Sequence, residues 1–319
     1  MTPAHDDIGR LRVIHRFTVL LFAAIAAARV AFVAWCHTPL QESYAYLWLS
    51  LPMLAVGAYA TFIRPNPKIA ALFNGLGLFL LATIGSGLTS ALTVYAGRSF
   101  PLADGTLEAA DRLLGFDWPA LLKLHDSHPY VDWVVSGAYK TIFSQIAVII
   151  TILALTGQAE RLYRFLVAAN IALVATCIIA VFFPALGPYE FLHLSPADHP
   201  HIDLITSDKM TAPILWLRAA TLTDPIPEFT VGLISFPSFH STTAAIYMWS
   251  TWRTPVLRWI SLGLNAMMLI ATPIQGSHYL VDVIAGIAMA AAAVGATTWV
   301  FGRIARTPQP ALSRAEAAA

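Results

Sequence analysis

About eight stretches of this sequence stay apolar for roughly twenty residues: 17–36, 44–63, 69–96, 131–156, 164–184, 233–252, 257–274 and 278–302. Roughly 20 apolar residues in a helix cross the hydrocarbon core of a bilayer. A helix bonds its own backbone, so it can cross where water cannot help. Composition agrees. Of the 319 residues, 57% are hydrophobic and 12% charged, against about 25% charged in soluble domains. The pattern implies an all-α, polytopic membrane bundle of about eight transmembrane helices. Breakers fall between stretches, as in Arg64-Pro65-Asn66-Pro67-Lys68 and Arg253-Thr254-Pro255. The sixth and seventh stretches are short and dotted with Ser, Thr and Asn. The stretch after Arg16 has the length of a signal peptide, but more spans follow it, so it reads as a retained first helix.

Two long connections, 97–130 and 185–232, hold most of the chain outside the membrane. Their mixed apolar and charged segments, 107–114 and 214–222, suit helices lying along the interface. The chain divides into N-terminal membrane helices (1–96), a membrane domain with the motifs below (97–303), and an Ala-, Pro- and Arg-rich tail (304–319) expected to be disordered. Lys and Arg are too scattered for a nucleic-acid surface, so membrane lipids are the expected partners. Cys36 and Cys177 sit in different apolar segments and read as buried thiols. Arg29, inside the first span, is expected to reach outward to the headgroups.

Basic residues set the orientation. With a cytoplasmic N-terminus, the cytoplasmic segments hold Arg10, Arg12, Arg16, Arg64, Lys68, Arg161, Arg164, Arg253, Arg258, Arg303, Arg306 and Arg314. The other side has Arg98, Arg112, Lys123, Lys209 and Arg218, all in the two long connections. This is a positive-inside pattern with both termini cytoplasmic. It places His240, at the start of the sixth span, and His278, at the start of the eighth, on the same extracytoplasmic face.

The two histidines lie in Phe236-Pro237-Ser238-Phe239-His240-Ser241 and Gly276-Ser277-His278-Tyr279-Leu280-Val281-Asp282. Histidine is costly in lipid and is a common acid, base or nucleophile. His278 and Asp282 are four apart, which brings them into contact on a helix. A carboxylate beside an imidazole fixes its tautomer and leaves the other nitrogen free to attack. Ser238, Gly276 and Ser277 precede the two helices, whose free N–H groups would favour a phosphate. The arrangement suits phosphoryl transfer, one histidine attacking phosphorus and the other protonating the departing oxygen. A lone interfacial histidine would more often be an anchor; two on one face, one with an aspartate, favour a site.

These motifs resemble the second and third signatures of the type 2 phosphatidic acid phosphatase (PAP2) superfamily, and most closely its inositolphosphotransferase branch. Segments 111–118, Phe183-Pro184-Ala185-Leu186-Gly187 and Leu217-Arg218 resemble stretches of that branch. The resemblance covers roughly 100–300 and implies a six-helix core preceded by about two further spans. By resemblance His278 is the nucleophile, Asp282 orients it, and His240 is the acid and later the base, with no metal or cofactor. The substrate implied is a lipid-linked phosphate ester, and the setting a cell (inner) membrane. The product depends on whether water or an inositol-like alcohol discharges the intermediate. The superfamily's usual basic residues are missing. Ala271-Thr272-Pro273 stands where its third signature carries Arg. Two replacements are considered for holding phosphate: Arg218, otherwise an interfacial arginine, and Lys140, otherwise a snorkelling or paired lysine. Tyr139, Ser144 and Gln145 line one side of the fourth span, facing a polar cavity or bonding other helices. His193, Asp198, His199, His201 and Asp203 crowd one loop without a metal-ligand spacing. Alternative readings are a polyprenyl-diphosphate phosphatase, a transporter using the intramembrane His, Asp and Lys, and an inactive structural relative.

Overall fold

The computed structural model describes residues 3–35, 43–83, 86–221, 224 and 232–306. All regular structure among them is helical. The chain begins with α1 (Pro3–Trp35), α2 (Ser43–Phe62), α3 (Pro67–Thr83) and α4 (Ser86–Ala96). The first long connection carries α5 (Asp104–Leu113) and α6 (Trp118–Ser127). A bent pair, α7 (Pro129–Lys140) and α8 (Ile142–Leu155), precedes α9 (Ala159–Phe182). The second long connection holds α10 (Pro188–Phe191) and α11 (Thr211–Ala219). The last three helices are α12 (Phe239–Thr251), α13 (Pro255–Gly276) and α14 (Leu280–Arg306).

Each apolar stretch contains a helix, but not each crosses alone. Among the described residues four helices have the length and hydropathy to cross: Gly9–Ala31 within α1, then α9, α13 and α14. The pair α7–α8 makes a fifth if read as one span bent by 56°. The third stretch is two helices, α3 and α4. The sixth is the 13-residue α12. It starts late because 232–238 is not helical, and it stops early because Pro255 disfavours helical geometry at Thr254. The expected interfacial segments form α5 and α11. Residues 304–306, expected in the tail, continue α14. Cys36, Arg314 and the tail beyond Arg306 lie outside the described residues; Cys177 is half-buried in α9. Arg29 does not reach out. It is buried and its guanidinium donates to the Ala82 carbonyl, because a backbone acceptor is nearer than the interface.

One core joins early and late helices. Ile14 and Phe22 of α1 and Leu78 of α3 pack with Leu162 and Phe165 of α9, Tyr247 of α12 and Phe301 of α14. The bend between α7 and α8 would expose backbone carbonyls. Tyr247 Oη donates to the Ile142 carbonyl at 2.6 Å and Thr141 Oγ1 to that of Ala138 at 2.6 Å. Asn265 of α13 reaches Gln145 at 2.8 Å. Irregular backbone survives at this depth because protein groups satisfy it.

The helix directions bring the two histidine segments to one end. α9 runs toward that end, α12 away, α13 back, and α14 away again. α12 and α14 touch backbone to backbone beside Gly286. A Cβ there would lie 2.4 Å from the Ser238 carbonyl oxygen. Gly295, further along α14, has nothing within 4 Å of such an atom. Gly286→Ala is therefore expected to destabilise by about 1–3 kcal/mol through overpacking. Gly295→Ala should gain up to about 1 kcal/mol of helix propensity. Thermal unfolding in detergent checks the pair; equal shifts would refute the close contact.

Candidate active site

His278 does not begin α14. It lies in the turn between α13 and α14, after Ser277, which caps α13 in the left-handed region (φ 52°, ψ 51°). Asp282, in the first turn of α14, folds back over this turn. Its Oδ2 accepts from His278 Nδ1 at 3.3 Å, the Tyr279 N–H at 3.0 Å and Ser235 Oγ at 2.8 Å. A carboxylate only accepts, so Nδ1 is the protonated nitrogen and Nε2 keeps its lone pair. The Trp118 indole N–H donates to the His278 carbonyl at 3.3 Å.

Nε2 faces a small space kept open by Gly276. A Cβ on Gly276 would sit 3.1 Å from His278 Nε2, 2.6 Å from its Cδ2 and 2.7 Å from Tyr139 Oη. Tyr139, in the last turn of α7, stacks its ring on His240 at 3.9 Å and 9°. Its hydroxyl also meets Thr206. His240 stands in the first turn of α12. The His278 ring and the Tyr139 hydroxyl meet at Gly276, and His240 is joined to them through its stack on the Tyr139 ring.

The N-terminus of α14 is not open to an anion, contrary to the expectation for Gly276 and Ser277. Asp111 Oδ2 takes the Leu280 N–H at 2.7 Å and Oδ1 that of Val281 at 2.9 Å. The Tyr279 N–H goes to Asp282, and that of His278 to the Pro273 carbonyl at 3.0 Å. Two carboxylates occupy the donors that phosphate would use. Ser277 turns away as well, its Oγ accepting from the Tyr189 N–H at 3.4 Å. The start of α12 differs. Ser238 Oγ caps the Ser241 N–H at 3.3 Å, and the N–H groups of Phe239 and His240 find no acceptor among the described residues.

The upstream segments act behind the turn. Asp104 accepts from the Leu186 N–H at 3.0 Å, the Gly187 N–H at 2.8 Å and Tyr279 Oη at 3.0 Å. Burial raises the Asp104 and Asp111 carboxyls above the usual range, against the pull of these backbone donors. Gly187 has φ 97°, and a Cβ on it would lie 2.6 Å from Ser277 Oγ. Gln275 Nε2 bonds both Asp132 oxygens at 3.2 Å, and His125 Nδ1 meets Asp132 Oδ1 at 2.7 Å. Asp111, Trp118 and Gly187 lay within segments singled out in the sequence, without roles. Ser235, Asp104, Thr206 and Gln275 gave no signal there, being single polar residues far apart in the chain.

The two expected cations do not join this cluster. Arg218, at the end of α11, donates to the Gly97 carbonyl at 3.3 Å and that of Phe100 at 2.8 Å. It clamps the turn after α4. Lys140 is exposed beside the α7–α8 bend and has no hydrogen bond or ion pair recorded among the described residues. Gln145 bonds Thr141 and Asn265, and Ser144 the Thr141 carbonyl. In the crowded loop, His199 pairs with Tyr189 Oη at 3.0 Å and His201 with Asp126 at 3.0 Å. Among the described residues no three His, Cys, Asp or Glu gather to hold a metal.

Comparisons with known proteins give two kinds of match. The Na(+)/H(+) antiporter NhaA 2 of Pseudomonas putida is 29% identical over 172 residues, covering 52% of this chain and 35% of the antiporter. A component of the ion-translocating oxidoreductase complex of Aliivibrio fischeri is 30% identical over 125 residues, covering 34% of this chain and 52% of that component. The chain thus spans about a third to a half of these relatives' lengths. No solved structure matches. The profile of the PAP2 superfamily matches residues 105–296. That match takes in more than half of the sequence, with both histidine motifs and the Asp111 cap, and the chain belongs to the PAP2 superfamily.

Proposed function

We propose that this integral membrane protein is a phosphotransferase or phosphatase of lipid-linked phosphate esters, working through a phosphohistidine on His278. The observation that carries the reading is His278 Nε2, oriented through Nδ1 by Asp282 and close to the Tyr139 hydroxyl across Gly276, with His240 stacked on the Tyr139 ring. In the first step Nε2 attacks phosphorus and the ester P–O bond breaks. His240 gives its proton to the departing oxygen. In the second step His240 takes a proton from water or an alcohol, whose oxygen attacks phosphorus as the P–N bond breaks. Water yields a phosphatase; an inositol-like alcohol yields the transferase of the branch whose motifs the chain resembles. No step calls for a metal or cofactor.

The α12 N-terminus supports phosphate binding, since its first N–H groups are unpaired and carry partial positive charge. Tyr139 Oη is a further donor at the reacting space. Ser238 supports the site by ending the chain's approach to α12. Lys140 and Arg218 would need to move to reach a phosphate, and the neutral donors are the better ground-state ligands. The positive-inside pattern supports an extracytoplasmic site with both termini in the cytoplasm. A polyprenyl diphosphate would use the same histidines. The local similarity to an antiporter favours a transport reading, but the family match spans the whole histidine site, whereas transport would leave the Gly276 space unexplained.

Purified protein is expected to release phosphate from a lipid phosphate in excess chelator. His278→Ala should abolish both turnover and acid-labile labelling of the protein, while His240→Ala should lose about 10²–10⁴-fold in rate. Full activity of His278→Ala would refute the reading, as would loss of activity in chelator alone. Gly276→Ala should stop turnover and lower the thermal unfolding midpoint, because the new methyl group would lie 2.6 Å from His278 Cδ2 and 2.7 Å from Tyr139 Oη. Tyr139→Phe keeps the ring stack and removes one donor; a rate loss of about five- to thirtyfold is expected if the hydroxyl meets the phosphate. An unchanged rate would assign Tyr139 to packing alone.

A further inference from the structure

A cavity of about 650 Å³ opens at the end of the bundle opposite the histidines. Along α14, Asp282 and Thr298, which lines the cavity, are about 24 Å apart. Four arginines line it from separate segments: Arg10 on α1, Arg161 and Arg164 on α9, and Arg253 just beyond α12. Among the described residues Glu160 is the one carboxylate in its lining. It is already shared, its Oε1 accepting from Arg10 at 3.0 Å and from Arg164 at 2.6 Å. Arg161 spends donors on Gln158 Oε1 at 3.2 Å and the Trp249 carbonyl at 3.1 Å. Arg253 is exposed with no ion pair recorded among the described residues. Arg10 Nε is buried with no hydrogen-bond partner. The start of α9 points into the same space, and its N-cap residue Gln158 gives no side-chain cap. Positive charge and N–H donors exceed acceptors here.

Basic residues elsewhere at this end lie differently. Arg12 and Arg16 sit over the Phe62 ring, Arg258 over Trp259 and Arg303 over Trp299. Those arginines cover aromatic faces, as Arg164 also does with Phe301; the four in the cavity in addition converge on one space. Trp252, Trp259 and Trp299 are exposed nearby. Exposed tryptophans mark the level of lipid headgroups. Arginine forks grip phosphate oxygens in pairs. The volume exceeds a lone phosphate and falls in the range of small-molecule sites, about 300–1,000 Å³.

We propose that this cavity binds a phosphate-bearing anion, and that its source is an anionic lipid headgroup of the adjoining leaflet. The site is separate from the histidine chemistry, so His278→Ala should bind as the unaltered chain does. The test uses the full chain in neutral detergent, titrated with phosphatidylglycerol and followed by native mass spectrometry and the unfolding midpoint. Inorganic phosphate is titrated in parallel. Each cavity arginine is expected to contribute about fivefold to binding, so R253Q should weaken it by that factor and R10Q/R253Q by about 25-fold. R253K should retain most of it, and the control R16Q/R258Q should change it less than about twofold. Circular dichroism confirms that each variant folds; should R10Q/R253Q fail to fold, R253Q and R253E carry the comparison. Equal losses in cavity and control variants would overturn the proposal in favour of diffuse surface charge. No binding of phosphatidylglycerol over phosphatidylcholine would overturn it outright. Displacement of the lipid by inorganic phosphate at comparable concentration would overturn the lipid source.

Discussion

The Asp282 carboxylate holds the arrangement together. One of its oxygens gathers three donors from two segments: the His278 ring and the Tyr279 backbone of the turn, and the Ser235 hydroxyl of the approach to α12. The Asp282 carbonyl also accepts from the Ser238 N–H at 3.1 Å. Through these bonds the turn before α14 and the approach to α12 become one unit. The close contact at Gly286 continues that union down the two helices. Oδ2 takes all three side-chain and turn donors, while Asp282 Oδ1 is buried with no hydrogen-bond partner among the described residues; bonds made in a buried network of this kind fix the geometry of the groups they join.

A second carboxylate explains why the upstream connection matters. Asp111 saturates the first donors of α14, which would otherwise be unpaired in an apolar setting. Asp104 does the same for Leu186 and Gly187 and holds Tyr279. The helices of the first long connection therefore act as a clamp on the His278 turn. This also moves the natural place for an anion. With α14 capped by acids, the free donors near the histidines belong to α12 and to Tyr139.

The two ends of the bundle contrast in charge. At the histidine end, cations are spent on backbone carbonyls, as with Arg218, or stand apart, as with Lys140. At the other end four arginines line an open cavity, and two of them, Arg10 and Arg164, share the Glu160 carboxylate. A chain with so few charges keeps them where water or headgroups can solvate them, except where a partner replaces that solvation, as the Ala82 carbonyl does for Arg29.

Much was legible from residue order. Apolar length gave the helical membrane bundle, parity of crossings gave a shared face for His240 and His278, and four-residue spacing gave the Asp282 contact. That contact holds even though His278 sits in a turn, because Asp282 folds back over it. Apolar length could not say which stretches cross alone, since α7–α8 bends and α12 is curtailed by proline at both flanks. Nor could it find the partners of the site. Ser235 reaches Asp282, and Thr206 and Gln275 join the residues behind the turn, only after segments far apart in sequence pack. The sequence by itself determined the solvent, the helices and the two histidines, because hydropathy and covalent spacing are local. Only the tertiary structure decided that carboxylates close the α14 terminus and that the Tyr139 hydroxyl meets the His278 ring at Gly276, because both depend on how segments far apart in the chain pack.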